Sequence, residues 1–283
     1  MSKLLSYKEA VFQYGENHSG FGILTTPAEA QVTGGNTPLC IIFNAGLLHR
    51  SEPYRLNTLL ARQLASQGFT TLRIDLAGKG DSRTRDSRTS NRESVAMDWA
   101  AIKTALASSV SADQTFVLMG LCSGADNAVK LALDDAQVRG VILLDLLCPR
   151  DKQFYLRRAL QKLFSPMVLM QLLGYLAGKI KGLFNREAVD ARPQSNLRDA
   201  PTDEELVQAL LALERREGSV LAIFTSYAYG YYNQAGQLGK VLSLSGSDFC
   251  REFHWPEMSH LYALQSHREK LIATISSWMT EKY

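Results

Sequence analysis

The chain has 283 residues, 46% of them hydrophobic and 21% charged, with a formal net charge of +3. That is the balance of an ordinary globular protein, and it lacks the strongly basic footprint of a nucleic-acid binder. The four cysteines (Cys40, Cys122, Cys148 and Cys250) form no C-x-x-C pair, so no zinc or dithiol site is expected, and no apolar run reaches the length of a membrane span.

The N-terminal stretch from Met1 to Gly15 has no long apolar segment of the kind a secretory leader needs. The expectation is a cytoplasmic, reducing setting, in which a free thiol persists. Residues 39–43 (LCIIF) form a short buried-strand run that ends in the loop Asn44-Ala45-Gly46-Leu47. Residues 54–67 carry helical periodicity and stop at Gly68, a natural C-cap. Residues 69–74 read as the next strand, followed by a polar loop from Asp75 to about Ser90. Residues 91–108 read as a helix with Val95, Trp99, Ile102 and Leu106 on one face. A strand at 115–119, a helix at 123–136 and a strand at 139–145 come next. Strand and helix alternating, with continuously apolar strands, means a parallel sheet covered on both faces.

The alternation breaks between 150 and 217. That segment holds the apolar helical stretch from Phe154 to Phe184, interrupted by Pro166, Gly174 and Gly178. A polar connector follows, then a charged amphipathic helix capped by Thr202 with Glu205 three residues on. Strand signals return at 219–225 and 249–255, and a last helix covers 265–281. The expected organisation is an α/β core made of 1–149 and 218–283, with 150–217 inserted as a helical lid.

The strongest chemical signal is Gly120-Leu121-Cys122-Ser123-Gly124, set between a strand and a helix. It has the form of a nucleophile elbow with cysteine at the centre. Flanking glycines let the chain turn sharply, and the helix N-terminus presents N–H groups and a positive dipole end. Both features favour a thiolate and a developing oxyanion. Ser123 lies one residue out of register for a nucleophile; its backbone N–H is the useful group.

With these segments in order, the chain resembles the α/β-hydrolase superfamily over nearly its whole length. Asn44-Ala45-Gly46 stands where that superfamily usually has His-Gly-x, and Arg73 to Ser82 resembles its R-x-D-x-x-G-x-G-x-S segment. The phrases NAGLLHR and GLCSGA look closest to hydrolases encoded near bacterial exosortase systems. The resemblance implies an α/β-hydrolase fold, a mostly parallel sheet flanked by helices. It makes His260 the general base, since that histidine follows the last strand and precedes the C-terminal helix. The acid is expected after the strand that follows the insertion, but Thr225 to Asn233 contains no carboxylate, and Asp248 lies too close to His260. Thioesterase domains of polyketide synthases, which place their acid one strand earlier, point to Asp145. Asp75 and Asp81 are expected to brace loops.

The oxyanion donors implied are the backbone N–H groups of Gly46 and Ser123, with Leu47 as the fallback. Leu47, His49 and Tyr229 are candidate substrate contacts. No nucleotide or metal motif is present, so no cofactor is expected. The implied chemistry is acyl transfer to Cys122 from an apolar acyl ester or thioester, free or carried on a protein. Water as the second nucleophile gives an esterase or thioesterase. An amine, alcohol or thiol gives an acyltransferase or cyclase. A non-catalytic binding scaffold of the same fold is the remaining alternative.

Overall fold

In the computed structural model, which describes residues 6–28, 37–85, 88–163, 198–241 and 248–283, one eight-stranded sheet organises the chain. Its strands are β1 (Tyr7–Tyr14), β2 (Gly20–Pro27), β3 (Leu39–Ile42), β4 (Thr71–Asp75), β5 (Phe116–Leu121), β6 (Val138–Leu144), β7 (Ser219–Thr225) and β8 (Cys250–Trp255). They lie in the order β1-β2-β4-β3-β5-β6-β7-β8. From β4 through β8 every neighbouring pair is parallel; β1 and β2 form an antiparallel hairpin, and β2 joins β4 antiparallel. The hairpin was not anticipated from sequence. Val11 is 68% exposed, and the alternation of β1 is too weak to mark it.

Burial explains why the central strands carry unbroken apolar runs. Every residue of β3, β4, β5 and β7 is buried, which only a sheet covered on both faces requires. One face packs under α2 (Asn91–Leu106), α3 (Ser123–Asp134) and α5 (Asp203–Arg215), with Trp99, Ile102, Val129, Leu210 and Leu213 in that core. The other packs under α1 (Leu56–Ser66) and α6 (Gln265–Lys282), with Leu60, Leu64, Ile275 and Trp278. The helix expected from residue 54 begins at Leu56, because Tyr54 and Arg55 have left-handed backbones (φ 45° and 61°). Capping boxes start α2 (Ser90 with Glu93) and α5 (Thr202 with Glu205).

Of the segment 150–217 expected as an insertion, the structure describes 150–163 and 198–217. It contains α4 (Lys152–Leu163) and α5; the latter lies against α3 and buries Leu206, Ala209, Leu210, Ala212 and Leu213. Its amphipathic pattern marks a helix of the sheet's covering layer. The apolar stretch 164–184 and the connector 185–197, which carry the expectation of a lid, lie outside the described residues.

Parallel strands all end on one side, and that edge gathers the chemistry. β5 runs into Cys122, β6 into Asp145, β7 into Thr225, and β8 into the turn that holds His260. The RIDLAGKGDS segment stiffens the neighbouring edge. Asp75 accepts from the Arg50 backbone N–H at 2.7 Å and the Asp81 N–H at 3.1 Å, and it pairs with the Arg50 guanidinium. A Cβ on Gly80 (φ 49°) would meet the Asp75 carboxylate at 2.2 Å, so the loop closes that tightly only with glycine there. This is the bracing role expected of Asp75 and Asp81.

Candidate active site

Cys122 sits on a sharp strand-to-helix bend with φ 56° and ψ −118°. Such a backbone costs a non-glycine residue about 1–3 kcal/mol and persists only where the surroundings enforce it. They do here: the Cys122 N–H donates to the Leu144 carbonyl of β6 at 2.9 Å, and a Cβ on Gly120 would lie 2.0 Å from the Gly124 backbone. The bend leaves the half-buried thiol at the N-terminus of α3.

His260 faces that thiol. Its Nδ1 lies 2.7 Å from Asp145 Oδ2, and Cys122 stands near enough to the ring for each to shift the other's protonation. Asp145 is fully buried and held from β7: the Thr225 N–H donates to Oδ1 at 2.6 Å, and the Thr225 hydroxyl donates to Oδ2 at 2.7 Å. Two neighbouring strand ends thus fix the carboxylate, and the carboxylate fixes the imidazole. The Tyr227 ring stacks on His260 with centroids 3.9 Å apart and planes 22° from parallel.

The charges reinforce one another. Burial pushes the Cys122 thiol up, but the hydrogen bond to His260 and the positive charges of Arg198 and His260 outweigh it and bring the thiol below its ordinary value. Burial pulls His260 down, yet its bonds to Asp145 and Cys122 raise it to about 9. A thiolate paired with an imidazolium is the arrangement this favours. The buried thiols Cys40 and Cys148 are pushed up by desolvation instead, Cys40 to about 12, so among these only Cys122 stands in an activating environment.

With that geometry in place, similarity to known families becomes interpretable. A family model described as serine aminopeptidase, S33, matches residues 40–212, more than half of the chain. The chain belongs to the serine aminopeptidase S33 family of α/β-hydrolases. Solved structures share the fold at low identity. A dienelactone hydrolase from Anabaena variabilis is 16% identical, with 98% of each chain covered and a TM-score of 0.56. Est1E from Butyrivibrio proteoclasticus is 16% identical, covering 96% of this chain and 98% of its own, with a TM-score of 0.54. The thioesterase domain from the curacin biosynthetic pathway is 16% identical, covering 96% and 99%, also at 0.54. No curated protein matches the chain in sequence.

In this S33-family hydrolase the residues singled out from sequence fare differently. Cys122, His260 and Asp145 come together. Ser123 follows the nucleophile position at the start of α3. The Gly46 N–H, expected to face an oxyanion, is taken by the Ser123 hydroxyl at 2.7 Å. Leu47 is 69% exposed beside it. His49 is hydrogen-bonded to Ser51 (2.8 Å) and faces Asp75 and Asp81. His49, Asp75 and Asp81 are spaced as metal ligands could be, but the Arg50 guanidinium bonds both carboxylates and supplies the positive charge there. Tyr229 is 57% exposed; its neighbour Tyr227 is the tyrosine that meets His260. Thr225, Tyr227 and Arg198 were not found from sequence. Thr225 and Tyr227 carry one available signal, their place just after a strand of the parallel set. Arg198 sits in a connector without periodicity and offers none.

Proposed function

We propose that the protein hydrolyses a carboxylic ester or thioester through an S-acyl intermediate on Cys122. The observation that carries this reading is the continuous line Cys122–His260–Asp145, with its Nδ1 to Oδ2 distance of 2.7 Å, on a strained elbow. The Cys122 thiolate attacks the acyl carbonyl carbon, forming the C–S bond and pushing the π electrons onto oxygen. The oxyanion collapses, and the leaving alkoxide or thiolate takes the Nε2 proton of His260. Neutral His260 then takes a proton from water, whose oxygen attacks the thioester; the acid is released and the thiol restored. Asp145 orients the ring and stabilises the imidazolium. The N–H of Ser123 is one oxyanion donor. On the loop side the Leu47 N–H is the second, because the Gly46 N–H already serves Ser123 Oγ and the Leu47 N–H has no partner among the described residues.

A sulfur nucleophile also favours transfer to an amine, alcohol or thiol, since loading from a carrier thioester is nearly thermoneutral and thioesters react readily with amines. Intact-mass measurement with a panel of acyl thioesters and p-nitrophenyl esters tests both readings. An acyl adduct mapping to Cys122, absent in Cys122→Ala, supports the covalent step. Turnover unchanged in Cys122→Ala overturns it. Faster adduct loss with a new conjugated product on adding an amine or alcohol assigns transfer.

A further inference from the structure

Beside the thiol lies a buried cation that the reaction above does not use. The Arg198 side chain is only 4% exposed. Its Nε and Nη2 grip Asp126 on α3 at 2.6 and 3.0 Å, and Nη2 also donates to the Asp145 carbonyl at 3.2 Å. The next residue repeats the pattern one turn along α3: Lys130 Nζ lies 2.7 Å from Asp199 Oδ2. Two consecutive residues are therefore pinned to two positions of the helix that begins at the nucleophile. The guanidinium touches the backbone of the acid on one side, and its charge is felt by Cys122, Tyr227 and Tyr231.

One edge of this guanidinium is unused. Among the described residues the buried Nη1 has no hydrogen-bond partner of ordinary geometry, with the Tyr227 and Tyr231 hydroxyls close by. A buried cationic donor without an acceptor is costly, and nearly all buried polar groups avoid it. Asp126 neutralises the charge of Arg198 and fixes its plane, so the remaining edge is preorganised to receive an oxygen acceptor. The planar fork of arginine is suited to a carboxylate.

We propose that Arg198 forms an anion subsite in the candidate active site, and that the substrate is an ester or thioester whose acyl group carries a carboxylate. The inference rests on the acyl-enzyme reading for its chemistry, and it narrows the substrate class. Asp126, in direct contact with Arg198, positions it.

Two probe pairs test it. The first compares iodoacetate with iodoacetamide as alkylating agents of Cys122, with the adduct rate at that residue divided by the rate on glutathione. The second compares the N-acetylcysteamine thioester of succinate with that of its monomethyl ester, read as acylation of Cys122 by intact mass. In the wild type the charged member is favoured about tenfold or more over its neutral partner after normalisation, the scale of a hydrogen bond to a charged group. Arg198→Gln combined with Asp126→Asn, which leaves no unpaired buried carboxylate, brings both ratios near one; the ratio is the readout because removing the Arg198 charge also changes the absolute reactivity of Cys122 toward the neutral reagents. Arg198→Lys keeps part of the preference.

Equal normalised rates in the wild type, or a preference that survives in the double variant, overturn the proposal while leaving the acyl-enzyme reading intact. A preference in alkylation with no acylation by either thioester does the reverse: it keeps the anion subsite and rejects acyl chemistry at Cys122.

Discussion

The Nδ1 of His260 lies 2.7 Å from the Oδ2 of Asp145, the residue that follows β6 and is proposed as the acid. Both carboxylate oxygens are already engaged by Thr225, so the carboxylate cannot rotate away from the ring. Asp145→Asn keeps the shape but presents an amide that cannot stabilise an imidazolium, and it permits the wrong ring tautomer. The expected outcome is a loss of about 10³–10⁴ in kcat with KM little changed, by analogy with other His–Asp pairs. Steady-state kinetics on the ester found in the mass screen check it. A loss under tenfold removes Asp145 from the mechanism.

Thr225 offers a subtler test of the same geometry. Thr225→Val removes the hydroxyl that donates to Oδ2 but keeps the N–H bond and the volume. The carboxylate stays in place yet loses one of its restraints. About a tenfold fall in kcat is expected, with Thr225→Ser close to wild type, since one hydrogen bond to a charged group amounts to about 1.5–3 kcal/mol. Equal loss in both variants points to packing instead.

Much of this site could be read in the sequence because its logic is local. Gly120 through Gly124 specifies the elbow by itself, since the turn excludes Cβ atoms at defined points. The buried strands announce a doubly covered parallel sheet through their unbroken apolar runs, and strand ends of such a sheet collect the reacting groups. Asp145 followed from the resemblance to thioesterase domains that carry their acid at the corresponding strand end. What stayed hidden depends on contacts across the fold. Tyr229 and Tyr227 are equivalent in composition, and only the three-dimensional turn after β7 decides which ring covers His260. The Gly46 N–H looks like an oxyanion donor until the Ser123 hydroxyl, 77 positions away, is seen to take it. The amphipathic helix 203–215 reads alike whether it covers a pocket or a sheet, and its burial against α3 decides.

The pairing of Cys122 with His260 predicts a specific pH dependence. The thiol is lowered below its ordinary value, and the imidazolium is raised to about 9. Hydrolysis needs thiolate for attack and a protonated ring for the leaving group. Activity therefore rises through the lowered thiol value and falls as pH passes about 9. Alkylation by iodoacetamide needs only thiolate, so it shares the acid limb and lacks the alkaline fall. The linkage sign is fixed as well. A raised folded value means the stability contributed by His260 is complete below about 6.5 and is lost as pH climbs through about 9. Melting temperature should drop on the alkaline side in the wild type by more than in His260→Gln. An alkaline limb common to hydrolysis and alkylation contradicts the assignment.

Tyr227 stacks on His260 at 3.9 Å between centroids. A π face against an imidazolium contributes about 0.5–1 kcal/mol at a partly exposed position. Tyr227→Leu should therefore move the alkaline limb of the rate profile down by about 0.4–0.7 pH units. Tyr227→Phe keeps the stack and should leave that limb where it is. Because the hydroxyl lies near Cys122 and Arg198, the phenylalanine variant isolates ring from hydroxyl. An alkaline limb that moves equally in both variants assigns the effect to the hydroxyl.

The elbow itself can be challenged through its glycines. A Cβ at Gly120 would stand 2.0 Å from the carbonyl carbon of Gly124, 2.3 Å from its oxygen and 2.5 Å from the Ala125 nitrogen. All three are backbone atoms of the turn and of α3, so no side chain can swing aside. Gly120→Ala must push the helix start away from the strand, with a cost of about 1–3 kcal/mol for overpacking and loss of the elbow geometry. Gly46 is the control. Its φ of 51° strains an alanine by about 1–2 kcal/mol, but nothing lies within 4 Å of the added Cβ. Both variants should unfold at lower denaturant, while Cys122 alkylation should collapse in Gly120→Ala and persist in Gly46→Ala. Comparable alkylation in the two would mean that the bend at Cys122 does not set its reactivity.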